Sequence, residues 1–167
     1  MKIFIEIPSW LGDAIMATPA IQNIIKTYPK AKITLLGSFV STKAFENYPN
    51  IEKIIVDDTK KSRNRYKNLI VLAKSIGKVD LAISFRRSFS SKFMMFFIKA
   101  KNKFNYKRLT KDEIHLAIRY NDFVNKVLKL NNEVGDLKLY FKPFSYSNPT
   151  LGVNLGATYG IAVRGCP

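Results

Sequence analysis

Short apolar runs alternate with helix-period segments along most of this chain, and that alternation limits the folds open to it. Residues 3–7, 32–36, 54–56, 79–84, 103–106, 137–141 and 151–155 read as strands. Between the first five lie segments with apolar residues at i, i+3, i+4 and i+7, such as Ile21, Ile24, Ile25 and Tyr28. Strands interleaved with helices predict an α/β, Rossmann-like three-layer sandwich with a mostly parallel sheet. At 167 residues the chain can bury a core of its own.

The helix boundaries carry further detail. Thr18-Pro19 suits a helix start, and so does the region of Gly12. Helices are expected over 40–48, over 63–76 closed by Gly77, and over 88–98. Residues 93–98 are apolar between Lys92 and Lys99; a run this short fits a helix buried on most sides better than one touching a membrane. Thr110 to Glu113 matches a capping box, opening a helix with Leu116, Tyr120, Phe123, Val124, Val127 and Leu128 on one stripe. Residues 142–149 read as a linker. The expected domains are therefore 1–149 and the start of a second at 150–167.

The net charge of +16 favours polyanions: nucleic acid, an anionic membrane face or a phosphorylated substrate. Lys outnumbers Arg 21 to 7, so compositional drift is an equal explanation. One cysteine, Cys166, excludes an internal disulfide. No apolar run approaches the roughly 20 residues of a spanning helix, and the amino terminus lacks signal-peptide character. A cytoplasmic protein, at most peripheral on a membrane, is expected.

Chemistry is expected where strands end, because ligands of open α/β sheets sit there. Asp13, after the first strand and beside Gly12, is a candidate base; its simpler role is to favour a helix N-terminus. Arg86 and Arg87, followed by Ser88, end the fourth strand and suit phosphate or carboxylate. The tract Lys99, Lys101, Lys103, Lys107 and Arg108, interleaved with Phe104 and Tyr106, suits single-stranded nucleic acid or an anionic patch. His115 is the only histidine and has no partners at metal-ligand spacing, so no metal site is expected. No Walker loop or Gly-x-Gly-x-x-Gly is present. The loop Gly156-Ala157-Thr158-Tyr159-Gly160 offers amides to a phosphate.

Pro8-Ser9-Trp10-x-Gly12-Asp13-x-x-Met16, with Pro19, resembles the amino-terminal signature of the ADP-heptose–lipopolysaccharide heptosyltransferases, nearest the heptosyltransferase II branch. The likeness continues through residues 28–34, Ser88-Phe89 and residues 156–160, over the first half of such an enzyme. Arg87 stands where Asn is usual, and Ser90 where a basic residue is usual.

The resemblance implies the N-terminal half of a two-domain GT-B glycosyltransferase that transfers heptose from ADP-heptose to the lipopolysaccharide inner core with inversion. It makes Asp13 the catalytic base. Ser9, Trp10, Gly12, Arg86, Arg87, Ser88 and Lys103 would bind acceptor. Gly156, Thr158, Tyr159 and Arg164 would face the donor diphosphate. It implies no cofactor beyond the donor substrate, peripheral contact with the inner membrane, and a truncated chain inactive alone. Two other classes fit the composition: a non-catalytic module binding lipopolysaccharide or anionic membrane, and a basic nucleic-acid-binding protein. No nucleic-acid-recognition fold is recognisable, so nucleic acid is not an expected partner.

Overall fold

A computed structural model of the chain describes residues 1–142. Five strands, β1 (Lys2–Glu6), β2 (Lys32–Gly37), β3 (Ile51–Val56), β4 (Lys78–Ser84) and β5 (Lys99–Asn105), form one sheet in the order β3-β2-β1-β4-β5. Every pairing is parallel. Central β1 is apolar on both faces because helices cover both. Ile3 and Ile5 enter one core with residues of α1 (Leu11–Met16), α2 (Thr18–Thr27) and α6 (Leu116–Leu128). Phe4 enters a second core with residues of α4 (Arg65–Ser75) and α5 (Phe89–Phe97). The three-layer sandwich expected from the sequence is the observed architecture.

Both readings of the first helix start hold in part. Helix begins at Leu11, breaks at Ala17 and resumes at Thr18. Pro19 brings no N–H to the Ile15 carbonyl. The Thr18 hydroxyl donates to it instead, at 2.8 Å. Gly37 brings β2 close to the exit of β1: a Cβ there would lie 2.6 Å from Ile7 Cγ1 and 2.8 Å from Ser41 Oγ. Gly77, at φ 78°, closes α4 as expected.

Other boundaries differ. The helix expected over 40–48 is only α3 (Phe39–Lys43), followed by turns that send Phe45 and Tyr48 into the core. The two edge strands, β3 and β5, start earlier than expected, at Ile51 and Lys99. The box at Thr110–Glu113 opens no helix. Its Thr110 hydroxyl donates to the Asp112 carboxylate at 2.6 Å, and Arg108 claims the carbonyls of Thr110, Lys111 and Asp112. Such local side-chain bonds compete with a helix. The helix starts at Leu116, N-capped by His115, and its stripe is inward as expected.

Residues 137–141 are not a strand. A side chain of α2 takes one backbone group there, and side chains of α2 and α6 hold the preceding residues Asn132 and Glu133. Lys138 N donates to Thr18 Oγ1 at 3.2 Å. Asn121 and Asn125 both donate to the Asn132 carbonyl, and Asn23 donates to that of Glu133. Helix α5 also departs from expectation. Ser91, Met94 and Met95 are buried, but Phe96 is 76% exposed, because the sheet and α4 cover only one stripe of it. Among the described residues no helix is long and apolar enough to cross a membrane. The linker beyond Lys142, the strand at 151–155, the domain at 150–167 and the residues Gly156, Thr158, Tyr159 and Arg164 lie outside the described residues.

Candidate functional site

The strand order reverses between β1 and β4, and a crevice opens at their carboxyl ends, as sheets of this topology require. A cleft of about 270 Å³ lies there. Pro8, Ser9, Trp10 and Asp13 line it from the β1–α1 turn, Lys60 from beyond β3, and residues 85–88 from beyond β4. Tyr106 and Tyr120 close its floor. Six residues expected from sequence therefore meet: Ser9, Trp10, Asp13, Arg86, Arg87 and Ser88. A wider depression of about 600 Å³ opens at the opposite, amino-terminal edge, but offers no free base. Its one carboxylate, Asp80, is held by Lys101 at 2.7 Å and by the Lys2 N–H at 2.9 Å.

Asp13 sits in the first turn of α1, half-buried, and its carboxylate makes no hydrogen bond or ion pair with a described residue. The neighbouring Tyr120 phenol is pushed far up by burial and then by the Asp13 charge, so it stays protonated. An unengaged carboxylate beside a neutral hydroxyl can accept a proton from a bound alcohol. Gly12 faces open space, with nothing within 4 Å of a would-be Cβ. It adjoins the cleft without lining it. Trp10 is 64% exposed on the lip rather than in the core. The carbonyl of Ser9 accepts from the Ser38 hydroxyl at 2.7 Å, which ties this lip to α3.

Arg86 has a different part from the one expected. Its Nη1 donates to Glu6 Oε1 at 3.1 Å and to Asp57 Oδ2 at 3.4 Å. Glu6 also accepts from Ser84 at 2.5 Å and from Ser91. Asp57 accepts from the hydroxyl of Thr59 at 2.6 Å. Burial pushes the Glu6 carboxyl above its ordinary range, while the Arg86 charge and the two hydroxyls pull it back. Arg86 thus ties the ends of β1, β3 and β4 together beneath the cleft, and its charge is spent on protein carboxylates.

The cations left for a ligand are Arg87 and Lys60, both exposed and without an ion pair among the described residues. Burial raises the Tyr106 phenol, against the pull of Arg119, Arg87 and Arg108, so positive charge gathers on that side. Ser88 lines the cleft while its hydroxyl accepts from Ser91 N at 3.3 Å, capping α5. Lys103 does not reach the cleft: its Nζ donates to the Phe96 carbonyl at 2.8 Å, at the end of α5. His115 is exposed and lines no part of the cleft. Lys60, Glu6 and Asp57 were not singled out from sequence. Lys60 follows the end of a strand, where the strand-end rule could have found it.

No family model matches the chain. Lipooligosaccharide heptosyltransferase 2 of Campylobacter jejuni is 39% identical over 172 residues, which cover 98% of this chain and 52% of that protein. The chain therefore spans about half the length of the curated relative it matches. A glycosyl transferase family 9 structure from Veillonella parvula superposes with a TM-score of 0.67 at 24% identity, over 83% of this chain and 43% of that one. An E. coli heptosyltransferase with ADP-2-deoxy-2-fluoro heptose gives 0.68 at 13% identity, over 82% and 51%. These two likenesses show the fold: one Rossmann-like half of a GT-B architecture.

Proposed function

We propose, for a chain that is a relative of the heptosyltransferases over about half of their length, that it supplies the acceptor-binding and proton-accepting half of a heptose transfer. The observation that carries this reading is the unengaged Asp13 carboxylate in a cleft with exposed Arg87 and Lys60. The acceptor is the phosphorylated, acidic inner core of lipopolysaccharide. Its anionic groups meet Arg87 and Lys60, and Ser9, Trp10 and Ser88 shape the pocket around the sugar.

Asp13 takes the proton of the acceptor hydroxyl as that oxygen attacks the anomeric carbon of ADP-heptose. The bond from that carbon to the diphosphate breaks, its electron pair leaves with ADP, and the configuration inverts. Negative charge grows on the leaving diphosphate and needs donors aimed at it. Those donors are assigned to a second domain, with Gly156, Thr158, Tyr159 and Arg164 at its start. The domain division at 149/150 belongs to this reading, as does a site of action at the cytoplasmic face of the inner membrane with peripheral contact.

ADP release from ADP-heptose and acceptor tests the division of labour. The 167-residue chain alone is expected to give none, and adding a donor-binding half is expected to restore it. Transfer by the chain alone would contradict the proposal.

A further inference from the structure

The positive charge of this protein is not spread evenly. Residues 59–111 hold 16 of the 28 Lys and Arg but only one of the 12 acidic residues, Asp80. Compositional drift would have no reason to stop at those borders. This stretch builds α4, β4, α5 and β5, and with them the whole helical layer on one face of the sheet.

The outer side of that layer is apolar as well as basic. Helix α5 has two apolar stripes. Met94 and Met95 face the sheet. Phe89, Phe93, Phe96 and Phe97, at i, i+4, i+7 and i+8, form the other stripe; Phe93 and Phe97 are its half-buried inner edge, packed in part against the same core as Met94 and Met95. Phe89 is 70% and Phe96 76% exposed. A helix that is apolar nearly all round is normally covered on both sides.

The second stripe is ordered by ring contacts. Tyr66 of α4 stands edge-on to Phe93 at 5.2 Å, Phe93 packs on Phe97 at 5.1 Å, and Phe97 on Phe96 at 5.2 Å. Lys92 and Lys99 are exposed at its sides, and Lys103 is fixed beside Phe96 through its carbonyl. Phe89 directly follows Ser88 on the rim of the cleft. Exposed aromatics flanked by lysines, with no acidic residue on α4, α5 or β5, complement an interface of anionic headgroups over acyl chains.

We propose that the outward stripe of α5, with Tyr66, is a docking surface for an anionic lipid bilayer. Phe89 and Phe96 enter the interface, the lysines meet the headgroups, and the cleft is held next to a membrane-borne acceptor. The surface rests on the membrane contact proposed above but on no transfer chemistry, so vesicles free of lipopolysaccharide and donor test it separately.

Flotation with phosphatidylcholine vesicles, with and without phosphatidylglycerol, is the experiment. The full chain should bind only the anionic vesicles. Phe89→Ser with Phe96→Ser, and separately Lys92→Glu with Lys99→Glu, should each weaken that binding about tenfold or more. The unfolding curves should not move, because all four side chains are exposed. Binding undiminished in the phenylalanine pair would overturn this surface and leave membrane contact intact. No binding to anionic vesicles at all would overturn both. Self-association or single-stranded DNA binding lost in the phenylalanine pair, with vesicle binding kept, would assign the stripe to another occupant and overturn the proposal.

Discussion

Arg86→Ala should destabilise the fold by about 3–5 kcal/mol, the range for removing one partner of a buried ion pair. The Arg86, Glu6 and Asp57 side chains are only 12%, 2% and 5% exposed. Without the guanidinium, two carboxylates at the ends of β1 and β3 would face each other with only hydroxyls and the Thr59 N–H as partners. Arg87→Ala, one residue on but exposed and without an ion pair to any described residue, should change stability by less than about 0.5 kcal/mol. Urea unfolding of both variants measures the contrast, and equal stability would mean that the network does not bind the strand ends.

The penalty should also depend on pH. The folded carboxyl of Glu6 lies above its ordinary 4.5, so the native state holds this proton more tightly than the unfolded chain does. That contribution is full below 4.5 and is lost as pH rises through the folded value. Wild type should therefore lose stability relative to Glu6→Gln as pH rises from 4.5. Removing the Arg86 charge raises Glu6 further, so the Arg86→Ala penalty should shrink as the buffer is made more acidic.

Asp13→Asn should lower transfer by about 10²–10⁴-fold when a donor-binding half is supplied, the usual contribution of a positioned base. The change is nearly isosteric, and the carboxylate makes no hydrogen bond or ion pair with a described residue, so folding and acceptor affinity should hold. Arg87→Ala should do the reverse, raising KM for the acceptor more than it lowers kcat. Steady-state kinetics of the two variants separates proton transfer from binding. An Asp13→Asn enzyme with wild-type kcat would remove Asp13 from the chemistry.

Much of this was legible in the residues. The apolar strands β1, β2 and β4 and helical stripes such as Ile21–Ile24–Ile25 gave the layers, because burial on one or both faces writes its period into the sequence. Asp13, Arg87 and Ser88 lie together in the cleft because all three follow strand ends, where the topology opens a crevice. The failures have a common cause. Arg86 looked like a ligand-binding cation because its neutralisers, Glu6 and Asp57, are 80 and 29 residues away in sequence. Lys103 was misplaced because its carbonyl partner lies at the end of α5. The Thr110–Glu113 box and the 137–141 strand had the right local pattern, but Arg108 takes the carbonyls of the first and the Thr18 hydroxyl takes the Lys138 N–H of the second. Helix α5 misled by composition alone, since an apolar run does not say how many of its sides the fold will cover.

Trp10 allows acceptor binding in this cleft to be tested without any second domain. It is the only tryptophan, it is 64% exposed, and it stands on the lip of the cleft. Its fluorescence should be titrated with a deacylated, phosphorylated inner-core oligosaccharide, which excludes any membrane effect. A saturable change in emission is expected, weakened in Arg87→Ala and absent when ADP-heptose is added alone. No saturable response to the oligosaccharide, or an equal response to ADP-heptose alone, would contradict the assignment of this cleft to the acceptor.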